Sequence, residues 1–145
     1  MKVILGADHG GFEMKELIKK WLATEGYTVE DVGADNSVAE DDYVYFAQQA
    51  VKAVTSSGDR VILFCRNGFG MVIAANRFAG VRCGLAFGEE AVKKGRTDDD
   101  INALSVPSDY VDEPSARRMI KTFLTEEASR EDKYRRRIMK LDNLI

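Results

Sequence analysis

Apolar residues recur along this chain in two different periods, which alternate from one end of the chain to the other. From Met14 onward, apolar side chains fall at positions i, i+3, i+4, i+7 and i+8, which predicts an amphipathic helix that ends at Gly26. Short apolar runs predict strands at residues 3–5, 27–32, 60–65, 81–87 and 101–106. Helical patterns fall between and after these runs, at residues 43–54, 71–77, 89–95 and 114–124.

Strands that alternate with helices predict a parallel sheet with helices on both faces. We therefore expect an α/β fold, a single three-layer α/β/α domain over residues 1–145 with a five-stranded parallel sheet. Near the C-terminus, Tyr134, Ile138, Leu141 and Ile145 form one apolar stripe, which predicts a helical tail over about residues 126–145. That stripe must pack either on its own domain or on a partner.

The composition narrows the class of protein. The chain has 145 residues, 45% hydrophobic and 31% charged, and a formal net charge of −3, which gives no overall reason to expect binding to nucleic acid or to a membrane. No apolar run approaches the roughly 20 residues of a membrane span. The two cysteines match no zinc or CxxC spacing, so we expect a reducing, cytoplasmic setting.

The stretch CRNGFG at residues 65–70 follows the third predicted strand and precedes a helical run. Glycines let a substrate approach the backbone, and the N–H groups that open a helix favour negative charge. The Cys65 thiol could act as a nucleophile or as a proton-transfer base, although most free cysteines are simply buried apolar residues. A cysteine phosphatase is excluded, because its phosphate loop needs an arginine six residues after the thiol and Met71 stands there.

The stretch GADHGG at residues 6–11 ends the first predicted strand and contains His9, the only histidine of the chain. Open α/β sheets bind ligands at the carboxyl ends of their strands, where the strand order reverses. We therefore expect the first and third strands to be neighbours, with Asp8 and His9 near Cys65. A nucleotide cofactor is not expected, because GxGxxG is absent after the first strand and residues 68–70 lack its third glycine.

Two charged segments allow more than one interpretation. Residues 98–100 are consecutive aspartates, which is typical of a solvated acidic turn, and a metal site would need further oxygen ligands from elsewhere. On the tail, Lys133 and Arg137 are i, i+4 neighbours, so both cations could hold one phosphate. A solvated helix face is the ordinary alternative, and the acidic balance of the other residues disfavours nucleic-acid binding.

Together these motifs resemble those of the ribose-5-phosphate isomerase B and galactose-6-phosphate isomerase family, over nearly the whole chain. The matching positions are residues 6–12, Lys15, residues 42–43, Cys65 with residues 68–71, residues 73–77, residues 80–82, Asn102 and residues 136–138. The resemblance implies a Rossmann-like α/β/α domain that dimerises. It also implies aldose–ketose isomerisation of a phosphorylated sugar through an enediolate, with no metal and no other cofactor.

The resemblance also implies roles for individual residues. Cys65 would move the proton between C1 and C2, Asp8 would bind substrate hydroxyls or help to open the sugar ring, and backbone N–H groups from Asn67 to Gly70 would stabilise the enediolate. Asp98 occupies the position of a histidine that is thought to open the ring. The remaining contacts to the sugar and its phosphate would come from His9, Tyr43, Arg66, Gly68, Gly70, Asp99, Lys133 and Arg137.

The chain departs from the family pattern in ways that change the charge of the expected pocket. Arg66-Asn67 replaces a common Gly-Thr, and Asp98 and Asp109 replace a histidine and an arginine. We therefore expect a shifted substrate preference among pentose 5-phosphates and hexose 6-phosphates. Two alternatives stay open: a sugar-phosphate-binding regulatory module without turnover, and a subunit of a hetero-oligomeric galactose-6-phosphate isomerase.

The predicted positions also bear on assembly. The turn at Asp98 and Asp99 precedes the fifth strand and would lie at the amino edge of the sheet, whereas Cys65 would lie at the carboxyl edge. A five-residue strand spans ~17 Å, too far for both groups to touch one sugar within one subunit. If they serve one site, they come from different chains, and we expect a homodimer or a dimer of dimers with sites at the subunit interface.

Overall fold

The computed structural model describes residues 1–38 and 40–145. Across these residues, strands and helices alternate until two helices complete the chain. The strands are β1 (Lys2–Ala7), β2 (Thr28–Asp31), β3 (Arg60–Cys65), β4 (Cys83–Leu85) and β5 (Ala103–Pro107). The helices are α1 (Phe12–Thr24), α2 (Tyr43–Lys52), α3 (Phe69–Ala75), α4 (Glu89–Asp99), α5 (Glu113–Thr125) and α6 (Asp132–Asp142).

The strands form one sheet in the order β2-β1-β3-β5-β4, and each neighbouring pair is parallel. The predicted five-stranded parallel sheet is therefore confirmed, and β1 and β3 are neighbours as expected. Because β2 lies on one side of β1 and β3 on the other, the strand order reverses between β1 and β3. At such a point the chain leaves the two strands towards opposite faces of the sheet, and ligands bind at the carboxyl edge there.

The two faces of the sheet carry separate apolar cores, because successive residues of a strand point to opposite faces. On one face, Leu5 and Phe64 belong to a core that includes residues of α1 and α5. On the other face, Leu63 and Cys65 belong to a core that includes residues of α2 and α3. The three-layer α/β/α arrangement is thus confirmed, and the Cys65 side chain lies on the face that α2 and α3 cover.

Two predicted elements differ in extent from those observed. β4 spans Cys83–Leu85 rather than residues 81–87, because the backbone N–H of Arg82 donates to the side chain of Asn102 (2.8 Å) instead of to a strand. α4 continues past Gly95 to Asp99, because the glycine lets Ile101 pack closely against the helix and accepts its N–H at 3.1 Å. Asp98 and Asp99 therefore end a helix and do not form the predicted turn.

The C-terminal tail forms a helix, α6, that is shorter than the predicted span of residues 126–145. Within the described chain, α6 has no buried residue, and its Leu141 is exposed. Arg82, which precedes β4, donates to Asp142 at 2.7 Å and so holds the helix at the amino edge of the sheet. No helix in the described part of the chain is both long enough and apolar enough to cross a membrane.

Candidate active site

The loops after β1 and β3 meet at the carboxyl edge of the sheet, where the strand order reverses. Gly11 crosses the end of β3 so closely that a Cβ at this position would collide with the carbonyl of Phe64. This close approach brings the loop that carries Asp8 and His9 over the end of β3, where Cys65 lies. The predicted neighbourhood of these three residues is therefore what the fold produces.

The loop after β3 folds back on the Cys65 sulfur. Gly68 has a φ of +80°, a left-handed conformation that favours glycine, and its N–H donates to Cys65 Sγ at 3.2 Å. Its carbonyl oxygen accepts from the buried Ser105 hydroxyl at 2.8 Å. The Asn67 side chain accepts from the Phe69 N–H at 3.0 Å, so it stabilises the turn, while its backbone N–H is one of those near the sulfur.

The surroundings of the Cys65 thiol act on its pKa in opposite directions. Only 4% of the residue is exposed, and burial, the largest influence, raises the pKa of the thiol above its usual value. The backbone N–H groups of Gly68, Met71 and Asn67 favour the thiolate, whereas the charge of Asp8 opposes it, and the net result is a raised pKa. In the isolated chain the sulfur is therefore a protonated thiol at neutral pH, with donors already placed to stabilise a negative charge.

Asp8, His9 and Asp41 form a compact polar cluster beside this loop. Burial raises the pKa of the Asp8 carboxyl, although this carboxylate accepts from the Gly11 N–H at 3.0 Å. His9 is held by Asp41, whose oxygens lie 2.6 Å from His9 Nδ1 and 2.9 Å from its backbone nitrogen. Asp41 carries no sequence signal that marks it as the partner of His9, because a contact between residues 32 positions apart leaves no local pattern.

The same three residues offer the one set of three potential metal ligands that lie close together in the described chain. Their ligand atoms lie within 4.8 Å of one another. His9 Nδ1 is already hydrogen-bonded to Asp41, so a cation at this position would have to displace the shared proton. The expectation of a metal-free reaction stays a prediction.

Tyr43 and Arg66 lie around the opening of the site. The Tyr43 ring packs on Gly70, where a Cβ would lie 2.8 Å from the ring. The stem of Arg66 lies against Gly10, its side chain is 64% exposed, and its guanidinium lies 3.6 Å from the Asp109 carboxylate. An aromatic ring and an exposed cation therefore lie next to the Cys65 loop.

Four predicted site residues lie at the opposite edge of the sheet. Asp98 and Asp99 end α4, and Asp98 accepts from the neighbouring Thr97 hydroxyl at 2.8 Å. Lys133 and Arg137 lie on α6, where Lys133 pairs with Glu131 (3.2 Å) and the Arg137 guanidinium lies 5.8 Å from the centre of the Tyr134 ring. One chain does not bring these residues together with Cys65.

Comparison with known proteins adds an independent observation. The family model described as Ribose/Galactose Isomerase matches residues 3–141. The chain is 34% identical to a 4-deoxy-4-sulfo-D-erythrose isomerase from Clostridium sp. (strain MSTE9), over 86% of this chain and 79% of that protein.

Solved structures show the same likeness. A ribose 5-phosphate isomerase from Thermotoga maritima superposes with a TM-score of 0.93 at 33% identity, over 99% of this chain and 98% of that one. The ribose-5-phosphate isomerase B of Mycoplasma genitalium, solved with bound ribulose-5-phosphate, superposes with a TM-score of 0.92 at 30% identity, over 97% of this chain and 93% of that one. The Rossmann-like α/β/α architecture is thus confirmed.

Proposed function

The chain belongs to the ribose/galactose isomerase family, and from that membership we propose that it is an aldose–ketose isomerase of a phosphorylated sugar, with Cys65 as the base. One observation carries the assignment of the base. The Cys65 sulfur lies at the edge where the strand order reverses, and the Gly68 N–H points at it from 3.2 Å. A thiol in this position can form a transient anion without any rearrangement of the loop.

In the proposed reaction, the Cys65 thiolate removes the proton from the carbon beside the carbonyl group. The electron pair left behind forms the double bond of an enediolate, and the carbonyl oxygen gains the negative charge. The hydroxyl proton of the deprotonated carbon then moves to the charged oxygen. The thiol returns its own proton to the former carbonyl carbon, which leaves the carbonyl group on the neighbouring carbon and regenerates the thiolate. No external oxidant is needed, because one carbon of the sugar is oxidised as its neighbour is reduced.

The surrounding groups support this chemistry. Backbone N–H groups fixed before the reaction stabilise a developing negative charge at little cost of reorganisation, and the loop after β3 supplies them. Burial raises the pKa of Asp8, which makes its carboxylate a better proton acceptor for a substrate hydroxyl than an ordinary aspartate is. His9, Tyr43 and Arg66 border the same space and are the proposed contacts to the rest of the sugar phosphate, together with the backbone of Gly68 and Gly70.

We propose that the working form is a homodimer, or a dimer of dimers, in which each site is shared. Two exposed apolar surfaces support this. On α3, Phe69 and Ile73 are exposed beside the Cys65 loop, and on α6, Met139 and Leu141 are exposed. If α6 of one subunit packs near α3 of another, Lys133 and Arg137 reach a phosphate at the partner's site.

The substrate preference is expected to differ from that of a ribose isomerase. The relative from Clostridium acts, by its name, on a four-carbon sugar that carries a sulfo group. Substrates within the family therefore differ in the length of the sugar and in its anionic group. In this chain, Arg66 adds a cation at the opening, whereas Asp109 beside it adds an anion. A panel of ribose 5-, allose 6- and galactose 6-phosphates with 4-deoxy-4-sulfo-D-erythrose tests the preference.

The first experiment measures exchange of substrate carbon-bound hydrogen with deuterated solvent, which detects enolisation even when net conversion is slow. Cys65→Ser should abolish exchange while sugar-phosphate binding persists. Cys83→Ser is the matched control, because Cys83 is also buried but begins β4 at the other edge, and it should keep exchange. A wild-type chain that binds sugar phosphates without exchange is a binding module, and exchange that appears only with a second protein indicates a hetero-oligomer.

The second experiment tests whether the site is shared. Cys65→Ser and Arg137→Met chains are each expected to be inactive alone. When they are unfolded together and refolded, activity should return to about a quarter of the wild-type value, because half of the dimers are mixed and each mixed dimer has one complete site. No recovery in confirmed mixed dimers would mean that Arg137 and Cys65 do not serve one site in different chains.

A further inference from the structure

The carboxylate of Asp41 holds His9 at two points. Asp41 Oδ1 lies 2.6 Å from the ring Nδ1, and Oδ2 accepts from the His9 backbone N–H at 2.9 Å. Both side chains are about one-fifth exposed, so the pair is partly accessible from solvent. One side chain therefore fixes both the path of the loop after β1 and the orientation of its imidazole.

We propose that Asp41 is a positioning residue for the isomerase reaction, which sets the tautomer of His9 and directs His9 Nε2 at the substrate. An ionised carboxylate can only accept hydrogen bonds, so the hydrogen of a neutral ring resides on Nδ1. Within residues 1–38 and 40–145, His9 Nε2 has no hydrogen-bond partner. Nε2 is therefore the atom left to accept a hydrogen bond from a hydroxyl group of the sugar. The inference rests on the proposed function.

The neighbouring aspartate provides a matched control. Asp42 precedes α2 as its N-cap, but its side chain makes no capping hydrogen bond, and the residue is exposed. Asp41 and Asp42 thus carry the same charge at adjacent positions, and one of them holds His9. A general effect of negative charge near the site would be the same for both residues, whereas a positioning effect belongs to Asp41 alone.

The change Asp41→Asn keeps the shape of the side chain and replaces one acceptor by a donor. If the amide oxygen stays on the His9 backbone N–H, the amide NH2 faces Nδ1, which must then become an acceptor. The hydrogen moves to Nε2, and the atom that faces the substrate changes from acceptor to donor. If the amide turns over, the ring bond survives, but the backbone bond is lost. Asp41→Asn therefore changes either the tautomer of the His9 ring or the hydrogen bond that holds the His9 backbone.

The experiment reads the tautomer directly, because His9 is the only histidine. In protein labelled with ¹⁵N-histidine, the two ring nitrogens give one pair of signals, which distinguishes Nδ1–H from Nε2–H at a pH where the ring is neutral. We expect Nδ1–H in the wild type and in Asp42→Asn, and Nε2–H or a mixture in Asp41→Asn. We expect kcat/KM to fall at least about tenfold in Asp41→Asn only, with partial recovery in Asp41→Glu.

The outcomes separate the two proposals. Wild-type His9 in the Nε2–H form, or equal kinetics of Asp41→Asn and Asp42→Asn in an active enzyme, would overturn the positioning role. Absence of exchange with every sugar in the panel would overturn the proposed function, and the spectra would still report the tautomer. Thermal denaturation of each variant identifies a loss of activity that comes from unfolding, and in that case Asp41→Glu provides the kinetic test.

Discussion

Gly68 is the position at which a single methyl group tests the geometry of the Cys65 loop. Its φ of +80° lies in the left-handed region, which costs a non-glycine residue about 1–2 kcal/mol. A Cβ would also overlap Leu85 Cδ1, and forced overpacking of a filled core costs about 1–3 kcal/mol. We therefore expect Gly68→Ala to lower the free energy of unfolding by about 2–5 kcal/mol.

Gly26 separates these two contributions. It has a φ of +84° at the end of α1, but nothing lies within 4 Å of the position of its Cβ. Gly26→Ala should therefore cost only the conformational part, about 1–2 kcal/mol. Urea denaturation followed by circular dichroism gives both free energies, and equal losses in the two variants would refute the contact with Leu85.

Turnover adds a second measurement to the same pair of variants. The Gly68 N–H faces the Cys65 sulfur, so a shift of the loop moves a donor away from the site where charge develops. We expect kcat of Gly68→Ala to fall roughly tenfold or more, by analogy with the loss of one preorganised donor, while Gly26→Ala keeps its kcat. Unchanged turnover in a folded Gly68→Ala protein would show that this donor does not contribute to the reaction.

Three further predictions follow from buried or charged groups. Backbone N–H donors lower the pKa of Asp59 to about 2, so the stability that its carboxylate contributes should be lost as the pH falls from about 4 towards 2. In thermal denaturation, Asp59→Asn should be less stable than the wild type at neutral pH, and its stability should change less over that pH range. Because burial raises the pKa of the Cys65 thiol above its usual value, kcat/KM should keep rising with pH above neutrality, and a plateau near neutrality would contradict this. Ser105→Ala removes one of two donors to the Gly68 carbonyl, which keeps the Val72 N–H at 3.2 Å, and should cost about 0.5–1.5 kcal/mol in urea denaturation.

The sheet could be predicted because strand and helix periods are properties of neighbouring residues. The same reasoning located Cys65 and Asp8 at one edge, since the carboxyl ends of parallel strands must meet there. The sequence predicted that α4 ends at Gly95, because a glycine in a polar segment usually marks a helix end. In the structure, Gly95 instead makes room for Ile101, and the helix continues. Close packing of that kind involves residues that only the folded chain brings together.

The polar contacts of the site could not be predicted from the sequence either, because they also join residues that only the folded chain brings together. Asp41 and Asp42 are chemically equivalent in the sequence, and the direction of the chain before α2 decides which of them meets His9. Ser105 lies within a buried strand and looks like a small core residue until the Gly68 carbonyl is seen 2.8 Å away. Individual hydrogen bonds depend on loop paths, which sequence periodicity does not encode.

The position of β5 has a consequence for the order in which the protein can be built. β5 lies between β3 and β4 although it follows both along the chain, and in the described residues β4 pairs with β5 alone. A nascent chain therefore carries β3 with one bare edge, and β4 with no docking place, until residues 103–107 leave the ribosome. Bare strand edges recruit other chains. A translational pause that holds residues 103–107 inside the ribosome should leave an aggregation-prone intermediate, whereas a pause after they have emerged should not.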